Sequence, residues 1–218
     1  MKSNEVKKKI FNNIKEFFLQ DGFVYKKTLN EFTHQIDDYS YIYNIHQVSW
    51  GNRFSLHVNL GLSQKQIEDI IEKILGKRQD RLTFWRDIGD IAASPDGREV
   101  VNGNLSLWIY DDADVDTSIN QLKKYYSDIA KQYFLKYNSL ESIDDVINNP
   151  PFSYCPAHVG GSFDDRCMKG LVVASLVGNS NYQKLVEIYN EEIKETKKNK
   201  SINDYYKVVQ YLEKHNLK

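Results

Sequence analysis

The sequence has few cysteines, few prolines and almost no net charge. Its 218 residues include two cysteines and four prolines. Two cysteines in a chain of this size argue against a disulfide framework, so a reducing cytosol is the expected location. Because 29 basic and 30 acidic residues leave a net charge of −1, no overall field favours nucleic acid or an anionic membrane. We therefore predict a cytoplasmic protein with neither kind of partner.

Long apolar runs and familiar catalytic motifs are also missing. No apolar run approaches the length of a membrane span, and the basic start lacks the continuous apolar core of a secretory signal. The sequence contains no phosphate-binding loop, dinucleotide fingerprint, nucleophile elbow or zincin motif. It therefore predicts no cofactor and no catalytic residue. Its content of 41% hydrophobic and 27% charged residues is typical of a soluble globule that can bury a core.

Residues 41–61 predict a β-hairpin that turns at Gly51-Asn52, and the rest of the chain is organised around it. Gly at the first central position of a two-residue loop suits a type II′ turn. This turn pairs Trp50 with Arg53, and alternation then assigns the two faces of the hairpin. The residues of the second hairpin strand that are predicted to enter the core are Phe54, Leu56, Val58 and Leu60. The opposite, polar face carries Asn44, His46, Val48, Trp50, Arg53, Ser55, His57 and Asn59.

Hydrophobic periodicity and turn signals predict the other elements of the first 149 residues. An amphipathic helix is expected over 3–20, and Ser63 is the expected N-cap of a second helix that ends before Gly76. The expected strands are 23–27, 31–36, 82–88 and 105–110, and the later helices are 115–136 and 140–147.

The sequence predicts two structured parts. Residues 1–149 form an α+β sheet domain, and 150–163, rich in Pro, Gly and Ser, form a linker. Residues 164–218 then form a helical hairpin and a terminal helix, which we expect to dock on the sheet domain. The predicted fold class is α+β, with an antiparallel β-meander packed by helices and an all-helical C-terminal segment.

Several short motifs follow the leading helix and end in the two hairpin strands, and a later strand with Trp108 extends them. Their residues are Gly22, Phe23, Lys26, Lys27, Ile45, Gln47, Ser49, Phe54, Val58, Asn59 and Gly61. With these motifs the first half of the chain resembles a bacterial family known only as a domain of unknown function. The resemblance implies a fold and transfers no site.

The pair of His46 and His57 is the first candidate site. Directly opposed strand residues have Cβ atoms about 4.5–5.5 Å apart, which would let two imidazoles share a metal. A catalytic zinc needs a third protein ligand, and the sequence offers none on this face, because His34 falls on the other one. A polar sheet face is the favoured interpretation. The side chains there are suited to stacking and hydrogen bonding with a partner; they are Asn44, His46, Trp50, Arg53, His57 and Asn59.

Cys155 and His158, with Cys167 further on, form the second candidate, either as metal ligands or as a thiol and base. Their spacing matches no zinc family, and we predict that Cys167 is a packing residue. Gly160-Gly161 before a helix suggests an anion loop, but the usual lysine is missing.

The aspartates 111, 112, 114 and 116 resemble a calcium loop only superficially, since the required glycine is absent. We predict that they form an acidic helix start. The aromatic residues Trp85 and Trp108 are predicted to pack in the sheet.

The sequence thus favours a non-catalytic cytoplasmic module that binds a protein or peptide, with a regulatory or toxin-neutralising role. The alternative is a hydrolase that uses a metal at His46 and His57, or a thiol at Cys155 with His158. A third alternative is a nucleic-acid binder, which rests on the lysines of the first helix alone, where a solvated helix face is the favoured interpretation.

Overall fold

The computed structural model of this protein describes residues 3–76, 82–99, 102–149, 156–195 and 199–215. The strands within these residues are β1 (Val24–Lys26), β2 (Glu31–Ile36), β3 (Tyr39–Trp50), β4 (Arg53–Gln64), β5 (Phe84–Asp87) and β6 (Leu107–Ile109). The helices are α1 (Ser3–Gln20), α2 (Lys65–Leu75), α3 (Ile88–Ala93), α4 (Asp112–Tyr125), α5 (Lys131–Lys136), α6 (Leu140–Asn148), α7 (Phe163–Val177), α8 (Tyr182–Glu195) and α9 (Asn199–His215). A π-helical turn, Tyr126–Ala130, joins α4 to α5.

The six strands form one antiparallel sheet, and its first four strands are a meander in the order β1-β2-β3-β4. The far edge of β4 pairs with two short strands. β6 pairs with its first part, from Phe54 to Leu56, and β5 pairs with its last part, from Asn59 to Leu62. The predicted α+β fold with an antiparallel meander and C-terminal helices is confirmed.

The central hairpin has the predicted register. Trp50 pairs with Arg53 and His46 with His57, and Gly51 takes a φ of 70°, which the tight turn requires. The four side chains expected in the core are 3% exposed or less; they are Phe54, Leu56, Val58 and Leu60. This face of the sheet is called the core face below, and the opposite one the outer face.

Helices α1 and α4, with the π-helical turn, cover the core face. The apolar stripe of α1 repeats every three or four residues, as the sequence predicts, so one side of the helix is buried. The ring of Phe18 stacks on Phe32, with centroids 4.2 Å apart, and also contacts Tyr126 of the π-helical turn. The buried hydroxyl of Tyr43 donates to the carbonyl of Leu122 at 2.9 Å, which fixes α4 against β3.

The start of α2 and the end of β5 differ from the predictions because of local hydrogen bonds. β4 continues through Gln64, because Tyr39 and Ser40 still pair with Gln64 and Ser63. Ser63 is therefore a strand residue, and the side chain of Gln64 caps α2 by accepting from the backbone N–H of Ile67 at 3.0 Å. The predicted strand over 82–88 is shorter, since α3 begins at Ile88 with Asp87 as its N-cap.

The C-terminal helices pack against the sheet-bearing part of the chain. Helix α7 contacts α2, α6, α8 and α9, and its residues belong to the same hydrophobic core as those of α1 and β4. The described part of the predicted linker, 156–163, is also packed, because Ala157, His158 and Val159 are buried. The backbone N–H of Trp85 donates to the carbonyl of Val159 at 3.1 Å, so this segment lies along the edge of β5.

None of the described helices is long and apolar enough to cross a membrane.

Candidate functional site

The outer face of the hairpin holds the residues that the sequence predicted as a binding surface. The ladder places Asn44 opposite Asn59 and His46 opposite His57. His46 is exposed, and the two asparagines and His57 are partly buried. His34 pairs with Tyr41 on the core face, as predicted, so it lies away from this ladder.

Three exposed aromatic side chains and one arginine lie together at the turn end of this face. Trp50, Trp108 and Tyr110 are 53%, 42% and 60% exposed. The ring centroids of Trp50 and Trp108 are 6.3 Å apart, as are those of Trp108 and Tyr110. The guanidinium of Arg53 lies over Trp108, 5.7 Å from the ring centroid, in a cation–π contact. We call these four residues the aromatic patch.

Trp108 and Tyr110 are functional candidates that the sequence analysis missed. It predicted that Trp108 packs in the sheet, but this side chain is exposed on the outer face. β6 pairs with the start of β4, with Trp108 opposite Ser55, and this places the ring beside Trp50. The alternation of Ser106, Trp108 and Tyr110 was the available signal, since it shows that the three share a face.

A chain of hydrogen bonds lies beneath the patch. The indole N–H of Trp50 donates to Ser55 Oγ at 3.0 Å, and Ser55 Oγ lies 3.0 Å from His57 Nε2. His57 Nδ1 lies 3.0 Å from Ser106 Oγ. In the neutral imidazole one ring nitrogen donates to its serine and the other accepts, and either serine hydroxyl can take either role. This chain fixes the orientation of the Trp50 ring and of the imidazole.

The metal interpretation of His46 and His57 finds little support in this geometry. Both ring nitrogens of His57 already hold hydrogen bonds to serine hydroxyls. Within the described ranges, no group of three or more His, Cys, Asp or Glu side chains is placed to hold a metal ion. Asp87 lies near His57, and burial raises the pKa of its carboxyl, but this carboxyl is engaged as the cap of α3 through a 2.7 Å bond from Gly89 N.

The second candidate site falls partly outside the described residues, since Cys155 does. His158 is 4% exposed, and both of its ring nitrogens are engaged. Nε2 lies 3.1 Å from the carbonyl of Ile91, so it carries the proton and donates, while Nδ1 accepts from the hydroxyl of Tyr137 at 2.7 Å. Cys167 is fully buried. These contacts indicate that His158 and Cys167 are packing residues.

Burial lowers the pKa of His158, and nearby Lys136 lowers it further, although the bond to Ile91 and the charge of Asp96 raise it. The unfolded chain, whose histidine has a pKa of about 6.5, therefore binds the proton more readily than the folded protein. We expect the free energy of unfolding to fall as the pH drops below about 6.5, by up to about 1.4 kcal/mol per pH unit from this group. Urea unfolding at pH 7.5 and 5.5 measures the effect. His158→Gln should be less stable at both pH values but show a smaller difference between them, and equal differences would contradict the assignment.

The remaining sequence candidates are helix caps. Asp111 accepts from the backbone N–H of Ala113 and Asp114, and the Asp114 carboxylate accepts from the N–H of Asp111, which makes a capping box at the start of α4. Ser162 caps α7 by accepting from the N–H of Asp165. The predicted acidic helix start is thereby confirmed.

A groove of about 720 Å³ lies on the core-face side, between β2, β3 and α5. Its walls include the aromatic side chains of Phe23, Tyr41 and Phe134. The carboxylate of Asp21 accepts from the Tyr126 hydroxyl at 2.7 Å and from Lys131 Nζ at 3.1 Å. These two bonds lower the pKa of Asp21. Asp37 and His34 also line the groove, so the Asp21–Lys131 pair alone does not define the charge of a ligand, and we assign no ligand to this groove.

The motifs behind the family resemblance occupy structural positions. Gly22 has a φ of 81°, and Phe23, Phe54 and Val58 are buried. These residues support the fold and carry no chemistry, and the resemblance stays a prediction. Comparison of the chain with protein-family models, with curated proteins and with solved structures finds no match.

Proposed function

We propose that the protein is a non-catalytic recognition module that binds a peptide segment of a partner protein at the aromatic patch. The observation that supports this proposal is the contiguous exposure of Trp50, Trp108 and Tyr110, with Arg53 stacked on the central ring. Tryptophan, tyrosine and arginine are the residues most enriched at the energetic centres of protein interfaces. A regulatory or toxin-neutralising role would suit such a module.

The chemistry around the patch defines the peptide. The outer face beside the patch carries neutral hydrogen-bonding side chains, such as Asn44, Asn59 and Ser106. The acidic start of α4 follows Tyr110, and the Asp114 carboxylate accepts from the backbone N–H of Tyr110 at 2.8 Å. An extended peptide would stack apolar or prolyl side chains on the aromatic rings, and its backbone would bond to the amides and hydroxyls around them. The bonds from Trp50 to His57 hold the platform rigid before binding, which lowers the entropy cost of association.

The test is selection of peptides from a random display library, followed by calorimetry with the selected sequences. We expect enriched peptides with micromolar affinity, and we expect Trp108→Ala/Tyr110→Ala to weaken them about 30-fold, as removal of about 2 kcal/mol of contact energy would. This variant leaves the buried hydrogen-bond chain untouched.

Ile36→Ala/Leu135→Ala is the matched control, because it removes two exposed apolar side chains, 47% and 58% exposed, from another surface. It should change the affinity less than twofold. Failure to enrich any peptide, or equal binding to Trp108→Ala/Tyr110→Ala and the unaltered protein, would refute the proposal.

A further inference from the structure

The charge of the protein is unevenly distributed, although its net value is only −1. Four lysines line one groove of about 530 Å³ between α1 and the β1–β2 turn. Lys7, Lys8 and Lys15 come from α1, and Lys27 follows β1. No carboxylate lines this groove among the described residues, and none of the four lysines forms a salt bridge with another residue in the described ranges. We call it the basic groove.

Helical spacing explains why the α1 lysines face the same way. Positions 4, 7, 8, 11, 12 and 15 recur every three or four residues, so they lie on one side of the helix. Lys9 falls on another side, where its Nζ forms a 2.9 Å salt bridge with Asp116. Lys8 and Lys15 are separated by about 10 Å along the helix axis, so they can contact different phosphates of one strand.

An aromatic ring completes the groove. Tyr25 is half-buried and lines the groove beside the lysines. Its ring stacks on Phe11 at 4.9 Å and on Phe32 at 5.0 Å between centroids, so it is held in place. The amide of Asn12 also lines the groove. A cationic groove with a fixed aromatic ring is the usual arrangement for single-stranded nucleic acid, where lysines bind phosphates and a base stacks on the ring.

We propose that the basic groove binds single-stranded nucleic acid without sequence specificity. A narrow groove with a ring in it suits a strand with stackable bases better than a membrane surface, which would need a flat basic face. From the net charge, the sequence predicts no nucleic-acid partner. The net charge does not show that lysines from α1 and from the β1–β2 turn lie together in one groove without a neighbouring carboxylate in the described part of the chain.

Fluorescence anisotropy with a labelled 15-nucleotide oligo-dT tests the proposal on the full-length protein. We expect micromolar binding at 50 mM salt, with an affinity that falls with salt at a log–log slope of about −3 for four phosphate contacts. Lys8→Gln/Lys15→Gln should weaken binding at least tenfold and reduce the slope by about half. Lys184→Gln/Lys194→Gln removes the same charge from exposed positions of α8 and should change binding less than twofold.

A second comparison separates base stacking from charge alone. Tyr25→Leu keeps an apolar side chain over Phe11, so the fold is retained, but it removes the stacking surface. It should lower the affinity for oligo-dT about fivefold or more. The affinity for an abasic phosphodiester of equal length should change less than twofold, because that oligomer has no base to stack. If oligo-dT does not bind, if both lysine variants bind equally, or if polyglutamate or anionic vesicles bind as tightly as oligo-dT, the proposal is wrong.

Discussion

Lys169→Met is expected to destabilise the protein by about 3–5 kcal/mol, the cost typical of breaking a buried ion pair from one side. The side chains of Lys169 and Glu68 are each 1% exposed. Lys169 Nζ lies 3.6 Å from Glu68 Oε1 and 2.8 Å from Asp165 Oδ2, and it donates a hydrogen bond to the carbonyl of Leu82. The methionine would fill the same space but would remove the only cation of this cluster among the described residues.

The cluster joins three elements, which is why its loss should lower global stability. Glu68 belongs to α2 and Lys169 to α7, and Thr83, just before β5, donates to Glu68 Oε1 at 2.8 Å. The same Thr83 hydroxyl accepts from the backbone N–H of Gln64 at the end of β4. The cluster therefore connects the C-terminal helices to the sheet where the end of β4, α2 and the start of β5 lie close together.

Urea unfolding of single and double variants separates a lost ion pair from lost packing. Lys169→Met/Glu68→Gln removes the two fully buried charges and leaves Asp165, whose side chain is 21% exposed and reaches solvent. The glutamine oxygen can still accept from Thr83, so we expect this double variant to recover part of the lost stability. Lys65→Met is the control, because its 2.9 Å salt bridge with Asp69 is solvent-exposed on α2, and it should change stability little. A small effect of Lys169→Met, or a double variant less stable than the single one, would contradict this account.

The elements set by local signals were the most predictable part of the fold. Gly51-Asn52 fixes the hairpin turn, and alternation along the next eight residues then fixes which side chains are buried. The helix over 3–20 followed from its apolar stripe in the same way. Both signals lie within about 20 residues of sequence, and no distant contact overrides them.

The pairing of β5 and β6 with β4 could not be predicted, because these strands are distant in the sequence. This pairing determines which aromatic side chains belong to the candidate site. Trp85 and Trp108 have similar sequence surroundings, since each lies in a short stretch that contains several apolar residues. β5 places Trp85 opposite Gly61, and its ring packs so closely on this glycine that a Cβ added to Gly61 would lie 3.0 Å from it. β6 places Trp108 opposite Ser55 and leaves its ring exposed. Which short strand pairs with which half of β4 depends on tertiary packing.

Buried charge was the other feature beyond the reach of sequence patterns. Arg166 and Lys169 lie on α7 and were indistinguishable from solvent-facing residues of an ordinary helix. Arg166 is 1% exposed because Ile147 of α6 and Tyr189 of α8 supply acceptors at 2.9 and 3.0 Å. Such partners come from other helices, and only the assembled structure shows which groups bond to the buried charges. The basic groove was hidden for the same reason, since Lys27 joins it from outside α1.

Gly160→Ala is expected to cost about 2–5 kcal/mol, against about 1–2 kcal/mol for the neighbouring Gly161→Ala. Both glycines have positive φ, 64° and 78°, so each alanine incurs the left-handed penalty of about 1–2 kcal/mol. At Gly160 an added Cβ would also overlap the carbonyl oxygen of Trp85, with which Gly160 forms a bridge at the edge of β5. At Gly161 the nearest atom to an added Cβ is Asp165 Oδ2 at 3.8 Å, which is ordinary contact.

Relief of the overlap at Gly160 requires movement of backbone rather than of a flexible side chain. Val159, one residue earlier, accepts the bond from Trp85 N at 3.1 Å, so the shift would loosen the whole segment along β5. Overpacking of this kind costs about 1–3 kcal/mol beyond the conformational term. Thermal and urea unfolding of the two variants, side by side, measure the difference. If both alanines lowered the free energy of unfolding equally, the backbone at Gly160 would be able to shift without cost. Residues 156–163 would then behave as part of the loose linker that the sequence predicts, and not as a segment packed on the edge of the sheet.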